Sequence, residues 1–165
     1  VSQDYLKAKE YYEQAASQGD SSSQHNLGLL YRHGYGVTQD YLKAKEYYEQ
    51  AASQGHSGSQ HNLGNLYYHG YGVTQDYLKA KEYYEQSASQ GNSGAQYELG
   101  NLYFQAHGVT QDFHKAKEYY EQAASQGHSG SQRNLVDLNK TLKRESLSSD
   151  IPPKKKIRRS PRCHP

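Results

Sequence analysis

One 16-residue block decides the fold, and at residues 40–55 it reads DYLKAKEYYEQAASQG. The block stands unchanged at residues 4–19, and it returns at residues 76–91 and 112–127 with one and two substitutions. Successive copies are therefore 36 residues apart. A period in the range of about 20–50 residues predicts a solenoid, in which each unit buries its apolar face by stacking on its neighbours. Such folds usually present binding surfaces.

Each block has the pattern of an amphipathic helix, called helix B here. Asp40 is a good N-cap, and Gly55 supplies the left-handed residue that ends many helices. The small and aromatic residues between them recur at helical spacing on one face, and they are Ala44, Tyr47, Tyr48, Ala51 and Ala52. Lysines and glutamates lie off that face, so helix B is predicted to pack on one side and to meet solvent on the other.

A second helix, called helix A, is predicted from about Ser57 to His69, between two blocks. Its buried face is predicted to carry Ser59, Leu63, Leu66, Tyr67 and Gly70. Gly64 lies in the middle of this helix, where glycine costs roughly 1 kcal/mol relative to alanine. Gly28 and Gly100 occupy the same place in the neighbouring units. A cost repeated in every unit predicts a shared benefit, which is the close approach of a neighbouring helix.

The recurring residues of the two helices resemble the Sel1-like repeat, a relative of the tetratricopeptide repeat. In the first full unit they are Leu27, Gly28, Tyr31, Gly34, Gly36, Val37, Asp40, Tyr41, Lys43, Ala44, Tyr48, Ala51, Ala52 and Gly55, and the resemblance covers about residues 4–139. It implies an all-α, right-handed α-solenoid of antiparallel helix pairs that acts as a protein–protein interaction scaffold. Tetratricopeptide repeats are the alternative, but their period is about 34 residues and they lack the Gly-x-Gly-Val turn.

The predicted boundaries follow the period. They are a lone helix B of a truncated repeat at 1–19, repeats at 20–55, 56–91 and 92–127, a terminal helix A at 128–144 and a disordered basic tail at 145–165. The lone helix B would expose Tyr11 and Tyr12, so at least one upstream helix is expected. At the other end Val136 replaces the packing glycine and Asn139 replaces a tyrosine, as expected where no helix B follows.

Composition divides the chain into two parts of opposite charge. Residues 1–137 carry a net charge of −5 and residues 138–165 carry +7, so the repeats alone are not expected to bind nucleic acid. The mean hydropathy is −1.14 and no long apolar run occurs, which predicts no membrane span. Cys163 is the single cysteine, so neither an intramolecular disulfide nor a cysteine-based metal site is predicted.

The copies of helix A differ from one another on one face, while the helix B blocks barely change. By helical geometry this predicted non-buried face carries Asn26, Leu29 and His33 in the first unit, Asn62, Asn65 and His69 in the second, and Glu98, Asn101 and Gln105 in the third. The resemblance implies that helix A lines the concave side of the superhelix. We therefore predict that a protein partner binds here, with the amide side chains bonding the backbone of an extended peptide. The alternative is drift of exposed positions without a partner.

No constellation of residues predicts catalysis, a metal site or a cofactor. The histidines recur at the repeat period, as His25 and His61 do, so they form rows rather than a cluster, and no His-Glu-x-x-His motif occurs. Gly34-Tyr35-Gly36 is interpreted as a turn, because the third glycine of a dinucleotide-binding loop is missing and no strand precedes it. The chain is therefore not predicted to be an enzyme, and no catalytic residue, metal ligand or cofactor is predicted.

A basic run lies near the C-terminus, formed by Lys154, Lys155, Lys156, Arg158 and Arg159. It resembles a monopartite nuclear localisation signal, whose partner would be a nuclear import carrier. Two other interpretations stay open, which are nonspecific contact with phosphates or anionic lipids and a solvated tail without a partner. The alternative function is that of a nucleic-acid-associated protein that contacts phosphates through this tail.

The expected location follows from these features. The protein is expected in the cytoplasm, in the nucleus or in both, and in a host cell if the source is a bacterium that delivers effectors. Secretion stays open, because the chain begins at Val1 and starts partway through a unit.

Overall fold

The computed structural model describes the backbone of residues 2–149 and the side chains of residues 4–144. Within that part of the chain the structure is all α, with eight helices and no strand. In chain order they are α1 (Ser2–Ser17), α2 (Ser21–His33), α3 (Tyr41–Ser53), α4 (Ser57–His69), α5 (Tyr77–Ala88), α6 (Ser93–Gln105), α7 (Phe113–Ser125) and α8 (Ser129–Ser149). The odd-numbered helices are the B helices and the even-numbered ones are the A helices, so the predicted alternation is confirmed.

The B helices begin as the sequence predicts. The side-chain carboxylate of Asp40 accepts a hydrogen bond from the backbone N–H of Lys43 at 3.0 Å, and the same bond recurs at Asp76 and Asp112. It satisfies one of the backbone donors left without a partner in the first turn of a helix. Gly55 follows the end of α3 with a φ of 83°, which is the left-handed conformation predicted for it.

Each A helix packs against the B helix that follows it, and then the next A helix packs on that pair. The core between them consists of leucines and tyrosines from the A helices and alanines and tyrosines from the B helices. Fully buried members include Leu63 and Leu99 in α4 and α6, Ala80 in α5, and Tyr48 and Tyr84 in α3 and α5. The core is thus a series of similar layers, as a solenoid requires.

The mid-helix glycines provide the predicted close approach. A Cβ added at Gly64 would lie 2.5 Å from Cδ1 of Tyr84, and one at Gly100 would lie 2.5 Å from Cδ1 of Tyr120. Gly28 has the same relationship to Tyr48. The rings of Tyr48, Tyr84 and Tyr120 therefore pack closely against the backbone of the preceding A helix.

The two ends differ from the interior units. In α1, Tyr11 is 72% exposed, whereas its counterpart Tyr47 is half-buried. Helix α8 continues to Ser149, past residue 145, where the tail was predicted to begin. No glycine or proline occurs from Ser131 to Ile151, so nothing in that stretch breaks the helix. Residues 150–165, which include the predicted basic signal, lie outside the described residues.

Among the helices of the described residues, none is long and apolar enough to cross a membrane.

Candidate partner-binding face

The four A helices lie next to one another and form one continuous surface, called the A-helix face here. Direct bonds join neighbours along it: Arg32 Nη1 donates to Asn62 Oδ1 at 2.8 Å, and Tyr68 Oη donates to Gln105 Oε1 at 3.2 Å. Asn134 Nδ2 donates to Asn101 Oδ1 at 3.3 Å. Side chains from different units can therefore contact one ligand together.

The structure brings most of the predicted partner-binding residues to this surface. His33, His69 and Gln105 are exposed at its edge. Asn26, Leu29, Asn65, Glu98 and Asn101 are half-buried along it.

Asn62 is different, because only 8% of its surface is exposed. The prediction that it lies on a non-buried face was wrong. The reason is the long side chain of Arg32, which reaches from α2 and binds the Asn62 oxygen.

Asn65 and Asn101 have a structural role that the sequence pattern did not reveal. The hydroxyl of Tyr84 donates to Asn65 Oδ1 at 2.8 Å, and the hydroxyl of Tyr120 donates to Asn101 Oδ1 at 2.8 Å. Each asparagine thus holds the hydroxyl of the tyrosine that packs on the neighbouring glycine. The signal in the sequence was a separation of 19 residues that recurs at the repeat period.

Leu29 stands where Asn65 and Asn101 stand in the following units. As a result, the hydroxyl of Tyr48 is a buried side-chain atom without a hydrogen-bond partner among the described residues. Burial raises the pKa of this hydroxyl to about 12, an effect that the nearby guanidinium of Arg32 opposes. The first unit therefore lacks a bond that the second and third have.

Glu98 brings a carboxylate to the A-helix face. Asn101 Nδ2 donates to Glu98 Oε2 at 3.0 Å. Burial raises the pKa of Glu98 above its ordinary value, and the bond from Asn101 opposes that shift. A cation bound nearby would be stabilised by this carboxylate.

A cavity of about 330 Å³ opens on the A-helix face between α6 and α8. Its walls are formed by Tyr97, Asn101, Phe104, Gln105, Tyr120, Asn134 and Asp137. Asn101 and Gln105 were predicted as partner-binding residues, and the other five were not. Shallower cavities recur between successive B helices, where they are lined by Glu, Ala, Ser, Leu, Tyr and Gln in every unit.

Two histidines of the A helices lie inside the stack rather than at its surface edge. Burial lowers the pKa of both His25 and His61 to about 4. The His25 ring stacks on His56 with centroids 4.5 Å apart, and the His61 ring lies 5.9 Å from that of Tyr84. Both imidazoles are therefore neutral near pH 7. Within the described residues, no group of three His, Cys, Asp or Glu side chains is arranged to hold a metal ion.

The family profile of the Sel1 repeat matches four consecutive stretches of the chain, at residues 1–20, 21–56, 57–92 and 93–128. The chain belongs to the Sel1 repeat family. The resemblance seen in the sequence is therefore confirmed, and with it the α-solenoid fold. The first match coincides with the lone helix B, and the other three each cover an A helix and the B helix after it.

Solved structures of Sel1 repeat proteins have the same fold. A protein of uropathogenic Escherichia coli strains, described as a protective antigen with an SLR fold, superposes with a TM-score of 0.78 at 38% identity. A Sel1 repeat protein from Oxalobacter formigenes superposes with a TM-score of 0.75 at 33% identity. The matches cover 81% and 78% of this chain but only 29% and 53% of those two proteins.

A third structure, the Helicobacter pylori cysteine rich protein B, superposes with a TM-score of 0.64 at 23% identity, covering 82% of this chain and 97% of that one. At this identity the likeness concerns the fold alone. Among curated protein sequences, no relative matches. Sel1 repeat proteins generally act in protein–protein interaction and are typically not enzymes.

Proposed function

We propose that this Sel1 repeat chain is an interaction scaffold that binds an extended segment of a protein partner along the A-helix face. The observation that carries the proposal is the contrast between the two helix types. Outward-facing positions of the A helices change from unit to unit, whereas the B helices repeat nearly the same side chains. A face that differs at each step can distinguish the successive residues of a bound peptide.

Several side chains of this face are already fixed in position. The ring of His33 stacks on Tyr35 at 5.1 Å, and the ring of His69 stacks on Tyr71 at 5.0 Å. Tyr68 is held by His107, whose Nδ1 lies 2.8 Å from the tyrosine oxygen. Side chains that are ordered before binding lose less conformational entropy when a partner arrives.

Most of the side-chain amides predicted to bond the partner's backbone already use some of their hydrogen-bonding atoms within the chain. The oxygens of Asn62, Asn65 and Asn101 accept bonds within the chain. Asn26 keeps both its donor and its acceptor, since no residue within the described part of the chain bonds it. We therefore assign direct contacts to Asn26, His33, His69 and Gln105, and a supporting role to the three bonded asparagines.

The test is a selection of binding peptides from a displayed random library on the whole chain, followed by calorimetry with the selected sequence. One variant changes His33, His69 and Gln105 to Glu on the A-helix face. A matched control changes Gln50, Gln86 and Gln122 to Glu at equivalent exposed positions of the B helices. The first variant is expected to lose binding at least tenfold while the control binds as the wild type. Equal losses in both variants, or none in the first, would refute the assignment of the face.

We further propose that Lys154, Lys155, Lys156, Arg158 and Arg159 direct the protein to a nucleus through an import carrier. The support is the charge contrast, since residues 138–165 carry +7 and the remainder carries −5. A fusion of the whole chain to a fluorescent protein is expected to accumulate in the nucleus of cultured eukaryotic cells, and changing the five residues to Ala is expected to abolish this.

The alternative is that the same tail contacts nucleic-acid phosphates while the repeats recruit another protein. In that case the whole chain should bind duplex DNA with an affinity that falls steeply as salt increases, because counterions are released. Changing the five basic residues to Ala should remove both the binding and its dependence on salt. Weak binding that ignores salt would reject this alternative.

A further inference from the structure

The junction between the first two A helices holds a cation of the chain itself. The guanidinium of Arg32, from α2, donates to Asn62 Oδ1 of α4 at 2.8 Å. It lies close enough to the Tyr48 hydroxyl to lower the pKa of that group against the effect of burial. The space enclosed by an A helix, the next B helix and the next A helix therefore accommodates a guanidinium here.

The equivalent space at the last junction, between α6 and α8, contains no such side chain. Phe104 stands at the position of Arg32, Tyr120 at that of Tyr48 and Asn134 at that of Asn62. The shorter, uncharged Phe104 leaves the cavity of about 330 Å³ described above. Asn134 Oδ1 corresponds to the acceptor that Arg32 uses, and no donor reaches it from the described residues.

The last junction is also more suited to a cation than the first. Asp137 stands where Asn65 stands at the first junction, so a carboxylate replaces an amide in the lining. Burial raises the pKa of the Tyr120 hydroxyl, and Glu98 lies near enough to Tyr120 for its negative charge to raise that pKa further. The rings of Tyr97, Phe104 and Tyr120 form aromatic walls, and a guanidinium over an aromatic face gains cation–π attraction.

The competitor within the chain is Lys140, whose Nζ lies 3.0 Å from Asp137 Oδ1. Both side chains are more than half exposed, and exposed ion pairs of this kind contribute little. Arginine can displace this lysine because its planar fork bonds a carboxylate and an amide oxygen at once.

We propose that this cavity binds the side chain of an arginine in the partner's extended segment, with the guanidinium bonded to Asn134 as Arg32 is bonded to Asn62 at the first junction, and paired in addition with Asp137. The proposal rests on the proposed function, because it names one residue that the partner presents to the A-helix face. The remaining residues of the A-helix face would then contact partner residues that neighbour this arginine in sequence.

The test uses blocked arginine, N-acetylarginine amide, titrated into the isotopically labelled whole chain and followed by NMR of the amide groups. N-acetylcitrulline amide is the matched probe, since it has nearly the same shape without the charge. A second sample with Arg158, Arg159 and Arg162 changed to Ser removes competition from the arginines after residue 150. Saturable shifts of the Asn101, Gln105 and Asn134 side-chain amides are expected with arginine and not with citrulline.

Two variants locate the site. Asp137→Asn removes the charge and is expected to weaken arginine binding at least threefold. Phe104→Arg copies Arg32 and is expected to fill the cavity with the chain's own guanidinium, which abolishes binding while the helical content stays unchanged. Equal shifts with arginine and citrulline would overturn the proposal, and so would wild-type affinity for arginine in either variant.

The outcome separates this proposal from the scaffold proposal. If a selected peptide binds the A-helix face and Asp137→Asn leaves its affinity unchanged, the scaffold proposal stands and the arginine site is wrong. If blocked arginine binds the cavity but no peptide depends on the A-helix face, the cavity is confirmed and the scaffold proposal is wrong.

Discussion

The ring of Tyr84 lies against the backbone of Gly64, and its hydroxyl reaches the side chain of the next residue. A Cβ at position 64 would be 2.5 Å from Tyr84 Cδ1, and the hydroxyl donates to Asn65 Oδ1 at 2.8 Å. The Tyr84 side chain thus depends on two neighbouring residues: Gly64 leaves room for its ring, and Asn65 accepts a hydrogen bond from its hydroxyl. The arrangement recurs at Gly100, Tyr120 and Asn101. It therefore fixes how each of these A helices packs against the B helix that follows it.

Replacing Gly64 with Ala is expected to destabilise the chain although alanine is the better helix former. The gain in helix propensity is about 1 kcal/mol, but the new methyl group would displace a fully buried tyrosine, and overpacking of this kind costs about 1–3 kcal/mol or more. Urea unfolding followed by circular dichroism should therefore show a lower midpoint. Val136→Ala is the matched control, because residue 136 occupies the equivalent position and is exposed. Equal effects at both positions would contradict the close-approach explanation.

The tyrosine hydroxyls are expected to differ in their contribution to stability. Tyr84→Phe removes a bond to Asn65 and leaves a half-buried amide oxygen without its donor, so it should lower the free energy of unfolding by about 1 kcal/mol. Tyr48→Phe removes a buried hydroxyl that makes no bond of good geometry among the described residues and lies near the Arg32 guanidinium, so it should cost less stability than Tyr84→Phe. The two variants are compared by urea unfolding. A larger loss in Tyr48→Phe than in Tyr84→Phe would contradict this account.

A double-mutant cycle that combines Leu29→Asn with Tyr48→Phe tests the same relationship directly. Leu29→Asn copies the residue of the other units and should give the Tyr48 hydroxyl an acceptor. The amide introduced at position 29 is expected to show a favourable coupling of about 1 kcal/mol with that hydroxyl, relative to the single substitutions. Absence of coupling would mean that the side chain at position 29 does not reach the hydroxyl.

Ala106 is expected to limit the stability of the turn between α6 and α7. It has a φ of 60° where Gly34 and Gly70 have 72°, and a left-handed conformation costs a residue with a Cβ about 1–2 kcal/mol. Ala106→Gly should therefore raise the free energy of unfolding by about 1 kcal/mol, after the greater freedom of glycine in the unfolded chain is subtracted. Gly70→Ala is the reciprocal variant and should lower it. Both are measured by urea unfolding, and a change of the same sign in both would contradict the explanation.

The helices and their order could be predicted from the sequence because they depend on local signals that recur. Asp40 and Gly55 mark the ends of a helix through their own conformational and capping preferences. The mid-helix glycine lowers helix stability in every unit, and that repeated cost indicated a close contact with the neighbouring helix. The role of Asn65 could not be predicted in the same way. Whether an amide on a helix meets solvent or a tyrosine hydroxyl depends on how far the next helix approaches, and the periodicity of one helix does not contain that distance.

The exposure of Asn62 and the cavity at the last junction have the same physical origin. Both depend on the residue at one position of the preceding A helix, which is Arg32 in one case and Phe104 in the other. The long guanidinium of Arg32 crosses to the next A helix and covers Asn62, whereas the shorter ring of Phe104 packs on Phe113 of α7. The pattern within one unit therefore predicted which residues form the A-helix face, but it did not predict which of their atoms a partner can reach.

Acid is expected to destabilise the stack through His61. Its folded pKa, about 4, lies below the ordinary value of about 6.5, so between those pH values the unfolded chain binds more protons than the folded one. The stabilisation is fully present above about pH 6.5 and is lost as the pH falls towards 4. One residue with this shift contributes on the order of 1–3 kcal/mol.

His61→Tyr is the matched variant, because Tyr97 occupies the same position in the third unit, with its ring also 5.9 Å from the next tyrosine. Urea unfolding at pH 8, 6 and 4.5 should show the variant close to the wild type at pH 8 and more stable at pH 4.5. Parallel losses of stability in the two proteins would show that His61 is not the group responsible.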